Sequence, residues 1–288
     1  LGRNSRVTYR DLVGEFLLLL LVITTALAWP TISAAFKGKT RWFWITLASL
    51  LLVAVGFRIH AHLTVPSAMI PNLARGLVVE QENSHAWMLE MLARYGGGID
   101  TLVLMNLLLG AATVGIIFLS FSMLFEGLAA PTAAALFAAT WPAHIGISST
   151  WSFLGPFVFI LTSLFLLTTI YMKSGNLRAL PLLLLVLFIS ISYRPEAMNI
   201  CVFYSLLPPI LEKSRRNRRD ALIWFGSFAL VYALRLLTAP AADIGNPLLH
   251  GGLDPVGLVK GVGAWVFSYE RTPFVLMLLV GFLVAARS

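Results

Sequence analysis

Two short stretches of this sequence combine residue types able to move a proton or hold an anion: Glu80–Gln81–Glu82–Asn83–Ser84–His85 and Tyr193–Arg194–Pro195–Glu196. The first brings two carboxylates and a histidine together. A carboxylate beside a membrane surface can act as general base on an incoming hydroxyl or amine. Glu82 and Glu80 are therefore the candidate catalytic residues, and His85 is placed to orient the base or help bind a phosphate. The alternative is a helix start, with Asn83 or Ser84 as N-cap of the helix that carries Trp87. In the second stretch, Arg194 suits bidentate phosphate binding and Glu196 is its neighbour. The alternative there is a local Arg194–Glu196 pair, with Pro195 opening the next helix.

His144, in Trp141–Pro142–Ala143–His144, falls at the end of an apolar run and can reach the same vestibule; a lone histidine of this kind is more often an interface residue. His60 and His62 form an H-x-H pair without a third ligand, so no metal site is assigned. Four further acids, Asp11, Glu126, Glu212 and Asp220, lie at the ends of apolar runs, where they are solvated or paired. No phosphate-binding glycine loop, nucleophile elbow or H-E-x-x-H zinc motif occurs.

The elements that must position these residues are membrane spans. Of 288 residues, 58% are hydrophobic and 12% charged, against about 25% charged in a soluble domain. Lipid must be the solvent over most of such a chain. Apolar runs near the roughly 20 residues that cross a bilayer recur at 12–34, 42–57, 101–125, 128–147, 153–172, 179–192, 198–211, 221–237 and 273–286. They are Leu-rich and continuous rather than alternating, which predicts helices rather than barrel strands. The expected fold is all-α: a single polytopic bundle over 1–288 with about nine spans. An outer-face loop, 58–100, carries short amphipathic helices in the interface plane, and a second outer-face loop covers 238–272.

The net charge of +8 is what basic cytoplasmic loops produce, and it calls for no nucleic acid. Lys213, Arg215, Arg216, Arg218 and Arg219 form the strongest such cluster. Alternate counting puts Lys37, Lys39, Arg41, Lys173, Arg178 and Arg287 on the same side, while Arg3, Arg6 and Arg10 fall opposite, against the rule. Trp42, Trp44, Trp141, Trp151 and Trp224 lie near the ends of runs, as an interfacial belt requires. The single cysteine, Cys201, excludes an intrachain disulfide. The sequence opens on Leu1 rather than Met and stops directly after an apolar run, the pattern expected of a fragment.

The order of these elements resembles the multi-spanning glycosyltransferases with the C-type fold, especially bacterial members near the protein O-mannosyltransferases of glycosyltransferase family 39. The resemblance runs from about Arg58 to Leu211. It rests on the acidic outer loop, on Pro142–Ala143–His144–Ile145–Gly146–Ile147–Ser148, and on Arg194–Pro195–Glu196–Ala197. It implies an inverting enzyme that moves a sugar from a polyprenyl-phosphate donor to a glycan, lipid or protein acceptor. The site would face the periplasm or exterior of a bacterial inner membrane. By this resemblance Glu82 is the base with Glu80 in reserve, Arg194 lies on the phosphate side and His144 is a vestibule contact. No cofactor is assigned, although some members use a divalent metal. The chain departs from the pattern at His60–Ala61–His62–Leu63, which holds no acid, and at Thr150–Trp151, where relatives carry one. The rival expectation is a transporter or lipid-carrier flippase, whose charged sites lie near the bilayer midplane.

Overall fold

A computed structural model describes residues 9–64, 99–150 and 154–193, together with the helical positions Ile223, Gly226 and Leu230. Every element among the described residues is helical. α1 covers Tyr9–Ala35, α2 Arg41–Thr64, α3 Ile99–Leu124, α4 Ala129–Thr140, α5 Pro142–Ser149 and α6 Leu154–Ser174. A 3-10 turn, Leu177–Ala179, leads into α7, Leu180–Tyr193.

Four of these helices, α1, α2, α3 and α6, are long and apolar enough to cross a bilayer. The chain is thus a helical integral membrane protein.

α3 is the central element, packed against α2, α4, α5 and α6, while α1 packs on α6 and α7. Two apolar cores result. Ala28 of α1 meets Leu164, Leu167 and Tyr171 of α6 and Leu183 and Leu187 of α7. Phe43, Leu50 and Ala54 of α2 meet Val114 and Phe118 of α3, Ala135 and Ala139 of α4, and Ile170 of α6. Small residues on α4 let its backbone approach its neighbours, the usual device where lipid removes any hydrophobic advantage to helix pairing. Outward-facing Val22, Leu52 and Leu63 are left to lipid.

Three features differ from the expectation. The run at 128–147 is two helices, because Pro142 lacks the N–H that would continue the ladder and restarts the chain as the first residue of α5. The second run does not end at Phe57: α2 continues through Arg58 to Thr64, so the first seven residues of the 58–100 loop are helical. The rest of that loop to Gly98 lies outside the described residues, as do the runs at 198–211 and 273–286 and the loop 238–272.

The described basic residues assigned to one side, Lys37, Lys39, Arg41, Lys173 and Arg178, share one end of the bundle, while Lys213, Arg215, Arg216, Arg218, Arg219 and Arg287 lie outside the described residues. Lys39 donates to the Ser122 carbonyl at 3.2 Å, and Lys173 donates to the next carbonyl, that of Met123. Both ammonium groups thus satisfy carbonyls that the last turn of α3 leaves without helical partners.

Candidate functional site: a buried arginine cluster

The buried face of α2 reads Phe43, Leu50, Ala54, Arg58, a helical stripe aimed at protein rather than lipid. Arg58 is the last residue in it and is completely buried. An intramembrane charge is costly unless it faces the bundle and finds partners. Arg58 finds three. Nε donates to Ser148 Oγ at 2.8 Å, Nη1 to the Ala54 carbonyl one turn back at 2.8 Å, and Nη2 lies 2.8 Å from His144 Nδ1. None is an acid, so among the described residues the guanidinium has no carboxylate partner. Of its five N–H groups, two make no hydrogen bond to a described residue.

α5 supplies the other half of the cluster, and Pro142 explains how. The Ala138 carbonyl would ordinarily accept from the N–H of residue 142, which proline does not have. His144 Nδ1 sits 2.9 Å from that carbonyl as well as beside Arg58. These contacts ask for opposite tautomers. A guanidinium can only donate, and the charged contact is the stronger. We therefore assign the lone pair to Nδ1 and the proton to Nε2. His144 is buried, and its Nε2 has no partner among the described residues. One turn on, Ser148 donates to the His144 carbonyl while accepting from Arg58, so its hydroxyl is used in both directions.

The opposing wall is α3. A Cβ on Gly110 would lie 2.3 Å from Ser148 Cβ and 2.7 Å from Arg58 Nε, so only glycine admits the guanidinium and the serine together. One turn towards the start of α3, Asn106 donates to the Thr150 carbonyl at 2.8 Å, and His62 Nδ1 lies 3.2 Å from the Ser149 carbonyl. The end of α2, the start of α3 and the end of α5 therefore converge at one end of the bundle, opposite Lys39 and Lys173.

Of the six candidate site residues Glu80, Glu82, His85, His144, Arg194 and Glu196, the structure describes His144 alone, and places it inside this cluster. Glu80, Glu82, His85, Arg194 and Glu196 lie outside the described residues. Arg58, Gly110 and Ser148 were missed. The signal for Arg58 was its phase, four residues after Ala54 and eight after Leu50. No group of three or more His, Cys, Asp or Glu able to hold a metal occurs among the described residues. Comparison with family models, with curated proteins and with solved structures returns no match to this chain.

Proposed function

We propose that this protein is a membrane glycosyltransferase that moves a sugar from a polyprenyl-phosphate donor to an acceptor at the outer face of the membrane. It acts within a bundle of about nine spans, in a bacterial inner membrane. The observation that carries the reading is Arg58: a buried guanidinium held by neutral acceptors, with no described carboxylate to offset it. Its depth also bears on the choice. At 1.5 Å per residue Arg58 is about 9 Å from the Thr64 end of α2 and about 26 Å from the Arg41 end. A charge near one end fits transfer at a face better than transport through the midplane.

In the proposed reaction Glu82, or Glu80, takes the proton of the acceptor hydroxyl as its oxygen attacks the anomeric carbon. The bond from that carbon to the phosphate oxygen breaks with inversion, and polyprenyl phosphate leaves carrying the electron pair. Arg58 contributes fixed positive potential at the end of the bundle where charge builds on the leaving group, a preorganised form of stabilisation. The segment bearing Glu80, Glu82 and His85 leaves α2 and returns to α3 at that end. Arg194 and Glu196 follow α7, and His144 acts through Arg58.

One observation favours transport as a second reading: the break between α4 and α5 at Trp141–Pro142 gives a discontinuous helix of the kind that transporters use. The test is turnover. Purified protein is incubated with a panel of polyprenyl-phosphate sugars and released polyprenyl phosphate is measured. Release by wild type, lost in Arg58→Met, supports the reading. Absence of release from every donor removes it and brings transport forward.

A further inference from the structure

The end of the bundle opposite Arg58 carries a second feature that the proposed reaction does not use. Lys37, Lys39 and Arg41 lie in and beside the α1–α2 turn, Lys173 lies in the last turn of α6, and Arg178 lies in the 3-10 turn that leads to α7. The two connections meet in space. Lys39 and Lys173 donate to adjacent carbonyls of α3, and the 3-10 turn holding Arg178 packs on α1. Lys37, Arg41, Lys173 and Arg178 are exposed. Against these five cations the described residues at this end offer one acid, Glu126 in the α3–α4 turn, and none of the five forms an ion pair with a described residue.

Depth and neighbours identify the partner. Trp42, 70% exposed, and Trp44, 47% exposed, follow directly on Arg41, and indoles so placed settle at the headgroup level. Deeper in the span, Ile45 and Leu52 of α2 are exposed apolar side chains, as is Trp29 of α1. Cations at headgroup depth above an acyl-compatible wall match a molecule with a phosphate on top and chains beneath. A soluble polyanion would use the cations and leave the wall unmatched.

We propose that Lys37, Lys39, Arg41, Lys173 and Arg178 form a binding surface for anionic phospholipid headgroups, with Trp42 and Trp44 setting its depth. Lys39 and Lys173 each give one N–H to α3 and keep two for a phosphate, since an ammonium has three donors. Lys37, Arg41 and Arg178, exposed and without such a bond to α3, complete the surface. Each basic residue near an anionic surface contributes about fivefold in affinity.

The experiment is native mass spectrometry of the purified protein released from micelles containing equal phosphatidylglycerol and phosphatidylcholine. Wild type is expected to retain phosphatidylglycerol at least tenfold over phosphatidylcholine, and the preference should shrink as NaCl is raised. The triple variant K37Q/R41Q/R178Q, which leaves Lys39 and Lys173 on α3, should lose at least about fivefold of that preference. The charge-keeping variant K37R/R41K/R178K should retain the wild-type preference. Equal retention of both lipids by wild type overturns the proposal. So does a preference that survives the triple change, or one that is abolished only by neutralising Lys213, Arg215, Arg216, Arg218 and Arg219.

Discussion

Arg58 and His144 meet at 2.8 Å between Nη2 and Nδ1 although 86 residues separate them in sequence. The contact joins the last buried position of α2 to the first turn of α5. It also fixes what each can do: the histidine accepts, and the guanidinium is held by three neutral groups.

That arrangement makes Arg58→Lys the harsher of two substitutions. An ammonium is a point donor and cannot span Ser148 Oγ, the Ala54 carbonyl and His144 Nδ1 as the planar fork does. Methionine removes the buried charge altogether. Ala54 keeps its place in the α2 ladder, and His144 is freed to put its proton on Nδ1 and donate to Ala138. Thermal unfolding in detergent should show Arg58→Lys destabilised by about 1–3 kcal/mol and Arg58→Met within about 1 kcal/mol of wild type. The reverse order would sink the hydrogen-bond account.

His144→Ala strips Arg58 of an acceptor and should cost about 1–3 kcal/mol. In an Arg58→Met background the same change should matter much less. A double-mutant cycle on the two sites should return a coupling of about 0.5–3 kcal/mol; strictly additive effects would mean the contact contributes nothing.

Two glycines give a matched contrast. Gly110→Ala forces a methyl into Ser148 and Arg58 and should destabilise by about 1–3 kcal/mol. Gly146, on α5, has open space where its Cβ would stand, so Gly146→Ala should be neutral or stabilising by up to about 1 kcal/mol through helix propensity. Melting curves for the two variants decide it.

If the proposed chemistry holds, Glu82→Gln should lower release of polyprenyl phosphate by roughly two or more orders of magnitude, as loss of a general base does. Unchanged release would move the base to Glu80.

The two ends of the bundle should face opposite compartments. Cysteines introduced singly at Lys37 and Thr64, in a Cys201→Ser background, should react with an impermeant maleimide from opposite sides of sealed vesicles. Labelling of both from one side would overturn α2 as a span.

Much of the helical layout was legible in the sequence because apolar run length is a local property. Runs at 12–34, 101–125 and 153–172 correspond to α1, α3 and α6 within a few residues. The errors share a cause. Arg58 was read as the end of a span because a charge normally closes one, whereas Ile59 and Leu63 carry the helix on and the Leu50–Ala54–Arg58 stripe turns the charge inward. Pro142 was present in the quoted motif, yet hydrophobicity on both sides hid the break it makes. The cluster itself was not legible. Nothing local tells Arg58 that Ser148 and Gly110 will flank it, since those contacts are made by tertiary packing across long sequence separations.

The separation between Arg58 and its partners also sets a timetable for making the protein. Ser148 lies 90 residues downstream, and at roughly 5–20 residues per second the ribosome needs about 5–18 s to supply it. For that interval α2 must enter the bilayer with an arginine on its face and only the Ala54 carbonyl of its own helix to receive it. An arginine opposes insertion by about 3 kcal/mol at the centre of a lone helix, and by less at the position of Arg58, six residues from the end of α2. Biogenesis, rather than the finished fold, is where this residue is most exposed to failure. Arg58→Leu should therefore raise the inserted fraction of α2 in nascent chains arrested before α5 emerges, whatever it does to the completed protein.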